Sequence, residues 1–367
     1  MLLRTWQGSC GTCEHESLAA LGALLSIEIC GNSARTGAAT RAPDDISRNA
    51  VGALQGKDDP LNDENETMAE SDGNASYVIA PEELLEIPPG YNAPCDRPGT
   101  LERFEYDTFE AFSYEDRSRP LGKDAIVYVP AGYDAGLRYN VVYLMHGGWS
   151  NQTTFLGTPQ SPSAFKNQID HAMEDGVIEP CLIVCPTYNN TSPDDAADFS
   201  LALELTARWP QELVNDLTPA IESSYSTYAE GSDPQQLKAS RDHRAFMGFS
   251  MGSVTTWHVF EQCLAYFRYF APASGNAGSG SYWAGAVERQ GFGSDDFLII
   301  AATGTEDFNG RAFTALMENM ARDPMFREGF GEDGTNLIFR IGESEGHDGH
   351  AASRYMYNAM ALLWHNS

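Results

Sequence analysis

One turn constrains this chain more than anything else in it. The apolar run Arg244-Ala245-Phe246-Met247 leads directly into Gly248-Phe249-Ser250-Met251-Gly252, and a helical stretch follows. A buried strand that passes into a helix through G-x-S-x-G needs its glycines to make so sharp a turn, and the turn lifts the serine hydroxyl above the end of the sheet. The pentapeptide alone arises often by chance. Its weight comes from three other segments, in the right order along the chain.

Upstream, Val141-Val142-Tyr143-Leu144-Met145 reads as a buried parallel strand and ends in His146-Gly147-Gly148-Trp149. An H-G-G run at that place is where a hydrolase supplies its second oxyanion N–H. Downstream, the strand Phe297-Leu298-Ile299-Ile300-Ala301-Ala302 ends at Gly304-Thr305-Glu306-Asp307, and Leu337-Ile338-Phe339-Arg340-Ile341 is followed by Gly346-His347. Serine, acid and histidine thus each stand just past the carboxyl end of a strand, the edge at which open parallel sheets carry their chemistry. The fold class implied is α/β, an α/β-hydrolase fold with a mostly parallel central sheet and helices on both faces, and the chemistry implied is that of a serine hydrolase.

The rest of the chain is consistent with that architecture. Residues 102–109 alternate as a half-exposed edge strand does. Residues 125–130, 181–186 and 266–273 read as further strands, the first stopped by Pro130. Helices are expected over 164–176, over 209–225 with Leu213, Val214, Leu217 and Ile221 on one face, after Ser250, and over 351–365. Strands alternating with amphipathic helices predict a sheet covered on both sides, with antiparallel first strands.

A serine hydroxyl becomes a competent nucleophile when an imidazole takes its proton during attack. Ser250 is the expected nucleophile; Ser253 would sit one turn into the helix. Of the eight histidines, His146 belongs to the oxyanion loop, His243 lies on the wrong side of the elbow strand, and His258 lies well along the helix. His347, nearest the end of the last strand, is the expected base, with His350 beginning the C-terminal helix. The orienting acid is Asp307 or its neighbour Glu306, with Asp307 favoured; Asp295 and Asp296 precede their strand and belong to the other edge of the sheet. The oxyanion hole is expected to use the backbone N–H of Met251 and one from Gly148 or Trp149. Trp149, Tyr188, Asn189, and Tyr282 and Trp283 of the Gly-rich segment 275–285 lie on segments at the catalytic edge and are candidates for the substrate pocket. Trp257 is expected in the core.

Composition sets the outer bounds. The formal charge of −29 argues against nucleic acid, whose phosphates call for clustered Lys and Arg, and favours a neutral substrate. The seven cysteines form no disulfide framework, and Cys10-x-x-Cys13 has neither a second pair nor a histidine pair to make a zinc site. No apolar run is long enough to span a bilayer. Residues 31–76 hold few large apolar side chains and cannot bury enough surface to offset their ordering entropy. Residues 1–76 therefore read as a leader with a disordered acidic linker, and 77–367 as the catalytic domain. Residues 18–27 have the length of a signal-peptide apolar region, but Glu14 and Glu16 stand where basic residues are expected, so export and a cytoplasmic chain with an irregular leader both remain open.

From about residue 100 to 365 the chain resembles the feruloyl esterase domains of carbohydrate esterase family 1 that accompany bacterial xylanases. The resemblance rests on Tyr143-Leu144-Met145-His146-Gly147-Gly148, on the elbow through Ser253-Val254-Thr255-Thr256-Trp257, on Ala301-Ala302-Thr303-Gly304-Thr305-Glu306-Asp307, and on Gly346-His347 with Tyr355-Met356-Tyr357-Asn358-Ala359. It implies Asp307 as acid, His347 as base, no cofactor and no metal. The implied reaction is hydrolysis of an ester between a hydroxycinnamic acid and an arabinose of plant xylan, on oligosaccharides or small phenolic esters. Two places depart from the family's pattern: Ser253, where a second glycine is frequent, and Asp348-Gly349-His350, where aromatic residues are usual. The alternatives are an acetyl xylan esterase of the same fold, an acyltransferase of the mycolyltransferase type, and a carbohydrate-binding protein that has kept the fold without the activity.

Overall fold

The computed structural model describes residues 80–331 and 334–364. The expected leader and linker, with Cys10 and Cys13, lie outside them. Strands β1 (Thr100–Phe109), β2 (Pro120–Val129) and β3 (Asn140–Met145) come first, then a two-residue hairpin, β4 (Gly157–Thr158) and β5 (Ser161–Pro162). They are followed by β6 (Cys181–Cys185), β7 (Arg244–Phe249), β8 (Tyr269–Ala273), β9 (Leu298–Gly304) and β10 (Leu337–Gly342). Apart from the hairpin, these strands form one sheet in the order β1-β2-β6-β3-β7-β8-β9-β10. β1 pairs antiparallel with β2 and β2 antiparallel with β6, while β6, β3, β7, β8, β9 and β10 run parallel.

The period of two along each strand divides the core into two layers. Along β3, Val141, Tyr143 and Met145 face one layer, and Val142 and Leu144 face the other. Parallel strands buried on both faces read as unbroken apolar runs, which is how β3, β6 and β7 appear in the sequence. The helix Met251–Gln262 packs on the first face with Phe199–Arg208, Gly280–Arg289 and Gly310–Met320. Ala164–Glu174 and Gly349–Met360 cover the second. Trp257 is fully buried, as are Cys181 and Cys185.

Three expectations are corrected in detail. The helix over 209–225 is interrupted by a π-helical stretch, Leu213–Leu217, between Pro210–Glu212 and Thr218–Ser224; Leu213, Leu217 and Ile221 are buried, and Val214 only partly. The strand expected from 266 begins at Tyr269. The last helix starts at Gly349, before its expected first residue, because the Asp348 carboxylate accepts hydrogen bonds from the N–H groups of His350 and Ala351 and caps it.

Candidate active site

The elbow is built as the sequence requires. Ser250 sits between β7 and the following helix at φ 60° and ψ −118°, a conformation that L-residues avoid and that neighbouring structure must enforce. Crowding explains the two glycines. A Cβ on Gly248 would lie 2.5 Å from the Gly252 carbonyl carbon, and one on Gly252 would lie 2.3 Å from the Met145 carbonyl oxygen. The Ser250 N–H donates to the Ala273 carbonyl at 2.9 Å. Trp149 and Ser274, beside the same cavity, also have positive φ, so three of the six such non-glycine residues among the described residues meet here.

Around the serine hydroxyl, three side chains from three strand ends form one line of hydrogen bonds. His347 Nε2 lies 2.8 Å from Ser250 Oγ, and Nδ1 lies 2.8 Å from Asp307 Oδ2. A carboxylate only accepts, so Nδ1 carries the proton and Nε2 is left to accept from the serine. The Asp307 side chain is fully buried, and its other oxygen accepts the Asn309 N–H at 2.7 Å. Asn309 is itself tied to the Ser274 carbonyl at 3.0 Å. Phe249 and Phe308 lie against the His347 ring, with centroids 4.5 Å and 4.2 Å away. Glu306 is exposed, and His350 is exposed at the start of the last helix. The Ser253 hydroxyl donates to the Gly275 carbonyl inside the helix packing.

The serine opens into a cavity of about 510 Å³, within the usual range for small-molecule sites. Its wall is mainly apolar, with Phe155, Phe199, Phe249, Val254, Phe308 and Ala352, and its rim carries Trp149, Asp348 and Ser353. Trp149 is 64 % exposed. The other pocket candidates do not line the cavity. Trp283 belongs to the helix Gly280–Arg289 rather than to a loop, and it stacks on Trp257 in the core at 5.0 Å. Tyr282 is turned to Glu261. Tyr188 and Asn189 are buried behind the H-G-G loop: Tyr188 Oη donates to the Gly147 carbonyl at 2.9 Å, and Asn189 Nδ2 donates to the carbonyls of Ser150 and Pro193.

The oxyanion candidates separate in the same way. Met251 is the first residue of its helix, where N–H groups have no partner within the helix. Gly148 borders the cavity, and a Cβ built on its neighbour Gly147 would stand 3.4 Å from Ser250 Cβ. Trp149 drops out as a donor because its N–H is already given to the Ala196 carbonyl at 2.9 Å. Sequence reasoning overlooked Phe249, Phe308, Phe199 and Phe155. The first two are adjacent to Ser250 and Asp307 in the chain and were within reach of it. The other two come from loops and helices without a motif.

Comparison with known proteins bears on what this geometry belongs to. The esterase family model matches residues 123–290, which span the H-G-G loop and the elbow. The chain is 32% identical over 310 residues to endo-1,4-beta-xylanase Y of Acetivibrio thermocellus, an alignment that takes in 81% of this chain and 26% of that protein. The chain thus spans about a quarter of the length of that relative. A solved structure of a mutant feruloyl esterase module from Clostridium thermocellum, complexed with sinapinate, superposes with a TM-score of 0.67 at 32% identity, covering 79% of this chain and 96% of that one. The chain belongs to the feruloyl esterase family. A ferulic acid esterase of carbohydrate esterase family 1 from Anaeromyces mucronatus, solved with ferulic acid, shares the fold at 19% identity and a TM-score of 0.53, with 76% and 98% of the two chains covered. Among the described residues of this feruloyl esterase family member, no cluster of three or more His, Cys, Asp or Glu could hold a metal ion. No helix among them is long and apolar enough to cross a membrane.

Proposed function

We propose that the chain is a serine carboxylic ester hydrolase acting on hydroxycinnamoyl esters of the feruloyl type, such as those borne by plant arabinoxylan. Ser250 is the nucleophile, His347 the base and Asp307 its orienting acid. The observation that carries this reading is the unbroken line Asp307–His347–Ser250 opening onto an aromatic-walled cavity. Ser250 Oγ attacks the ester carbonyl as its proton passes to His347 Nε2, and the Met251 and Gly148 N–H groups stabilise the oxyanion. Collapse of the tetrahedral adduct breaks the ester bond, and the departing sugar oxygen takes the proton from His347. A water molecule then gives a proton to His347 and attacks the acyl-enzyme; Ser250 leaves reprotonated, with the free cinnamic acid as second product. A cavity of about 510 Å³ with phenylalanine walls suits an aromatic acyl group better than acetate, which supports this reading over an acetyl xylan esterase. Asp348 on its rim favours a neutral ester and speeds departure of the carboxylate product. Xylan is an extracellular polymer, so the same reading has the enzyme exported, with residues 77–367 as the catalytic domain.

Initial rates on methyl ferulate, methyl p-coumarate and p-nitrophenyl acetate, for the wild type and for Ser250→Ala, test the proposal. Loss of the nucleophile is expected to lower kcat on the cinnamates by about 10⁶-fold. Turnover of the acetate alone would discard the aromatic acyl group, and cinnamate turnover that survives Ser250→Ala would discard the mechanism.

A further inference from the structure

The H-G-G loop is tied down from behind by side chains that the reaction itself does not use. The Gly147 carbonyl lies 2.7 Å from His146 Nδ1 and 2.9 Å from Tyr188 Oη. A carbonyl only accepts, so Nδ1 carries the imidazole proton and Nε2 must accept. It does so from the Thr187 hydroxyl, 2.7 Å away, which in turn accepts the Asn189 N–H at 3.0 Å. The two rings that hold the carbonyl stack with centroids 4.5 Å apart, and both residues are 1 % exposed. Behind them, Lys123 Nζ donates to the Thr187 carbonyl at 2.7 Å and pairs with the buried Glu212, also at 2.7 Å.

The consequence follows from peptide geometry. The Gly147 carbonyl and the Gly148 N–H belong to one planar trans unit and point in opposite directions. With the oxygen clamped toward the buried side by two donors, the N–H is aimed away from it, on the side where Gly148 borders the cavity and Gly147 stands against Ser250. We propose that His146 and Tyr188 are positioning residues that set the Gly147–Gly148 peptide plane, and with it the second oxyanion donor, while Thr187 fixes the tautomer His146 needs. This rests on the serine esterase reading above. Burial supports it by pushing the His146 pKa down to about 4, so the imidazole stays neutral and keeps its single donor on Gly147.

Tyr188→Phe removes one of the two donors and keeps the stacked ring. Complete loss of an oxyanion donor costs roughly 10²–10³ in kcat, and a loosened one is expected to cost roughly tenfold, with KM for methyl ferulate within about twofold of wild type. An arylalkyl boronic acid, whose tetrahedral adduct on serine places an oxygen in the oxyanion hole, is expected to weaken by the same factor as kcat, while the affinity for ferulate stays unchanged. Thr187→Val is expected to reproduce this pattern and Thr187→Ser to restore wild-type values, and that pair decides the matter if Tyr188→Phe does not fold. Wild-type kcat in Tyr188→Phe or in Thr187→Val, or equal weakening of boronate and ferulate, would overturn the inference. A wild type without Ser250-dependent turnover would instead remove the esterase reading on which it stands.

Discussion

The two sides of Ser250 are built in different ways. On the proton-transfer side, Asp307 and His347 reach the serine from short segments after β9 and β10, and two hydrogen bonds of 2.8 Å complete the arrangement. On the oxyanion side, a short loop after β3 is held by groups from β2, from the segment after β6, from the turn at Ala196 and from the helix at Glu212. The first side depends on three side chains at strand ends. The second depends on a buried polar network drawn from several separate stretches of the chain, most of whose members do not line the cavity. On the proposed mechanism, loss on the first side removes chemistry directly, while loss on the second loosens a scaffold and reaches the chemistry through it.

After the loss of Ser250 itself, the largest expected effect tests the first side. Asp307→Asn keeps the shape of the side chain but offers His347 Nδ1 a donor in place of an acceptor, so the wrong tautomer is favoured. A fall of about 10⁴-fold in kcat on methyl ferulate is expected, as in other triads, with little change in the midpoint of thermal unfolding. A loss under about tenfold would mean that tautomer control does not reside in Asp307, and the contrast between the two sides would fail at its stronger end.

The same contrast explains what was legible in the sequence. Strand ends that carry Ser250, Asp307, His347 and the H-G-G loop are local signals: an apolar run, with a glycine beside the candidate residue. The sheet was legible for the same reason, because strands buried on both faces leave unbroken apolar runs such as those of β3 and β6. The pocket was not. Tyr188, Asn189, Tyr282 and Trp283 lie on segments at the right edge of the sheet, yet whether a ring faces substrate or core is decided by tertiary packing. Trp283 went to the core because Gly280–Arg289 forms a helix, with Trp283, Ala286 and Val287 on its buried face. The network behind the oxyanion loop was equally hidden, since nothing near Lys123 in the chain announces Thr187 or Glu212 as its partners.

That network can be broken without touching the cavity. Glu212 has its carboxylate on Lys123, on the Tyr106 hydroxyl at 2.6 Å and on the Trp209 indole N–H at 3.2 Å. Lys123→Met leaves that buried carboxylate without its cation, and removal of one partner of such a pair costs about 3–5 kcal/mol. Urea unfolding of Lys123→Met beside the double variant Lys123→Met/Glu212→Gln measures it. The double variant is expected to regain most of the loss, because a neutral amide tolerates burial where a lone carboxylate does not. Equal stabilities for wild type and Lys123→Met would show that the ion pair contributes nothing to holding this side together.

The smallest effect concerns the proton that His146 refuses. Its imidazole is enclosed by the Tyr188 ring, the Thr187 hydroxyl and the Gly147 carbonyl, and the charged group acting on it is Lys123. Desolvation lowers its pKa most, the bond to Gly147 opposes this, and the Lys123 charge lowers it further, from the usual 6.5 to about 4. The sign of the linkage follows: between those values the unfolded chain binds a proton that the native chain does not. The stabilisation is therefore complete above pH 6.5 and is lost progressively as pH falls toward 4. At 1.36 kcal/mol per pKa unit, the loss amounts to about 3 kcal/mol. His243, also lowered chiefly by burial, adds in the same direction, and carboxylates titrate over the same range, so the wild-type curve alone is not diagnostic. The difference between wild type and His146→Gln in urea unfolding free energy at pH 7 and at pH 4.5 isolates the one imidazole. That difference is expected to shrink on acidification; if it stays constant, native His146 takes up its proton at pH 4.5 as readily as the unfolded chain does, and burial does not keep the imidazole neutral.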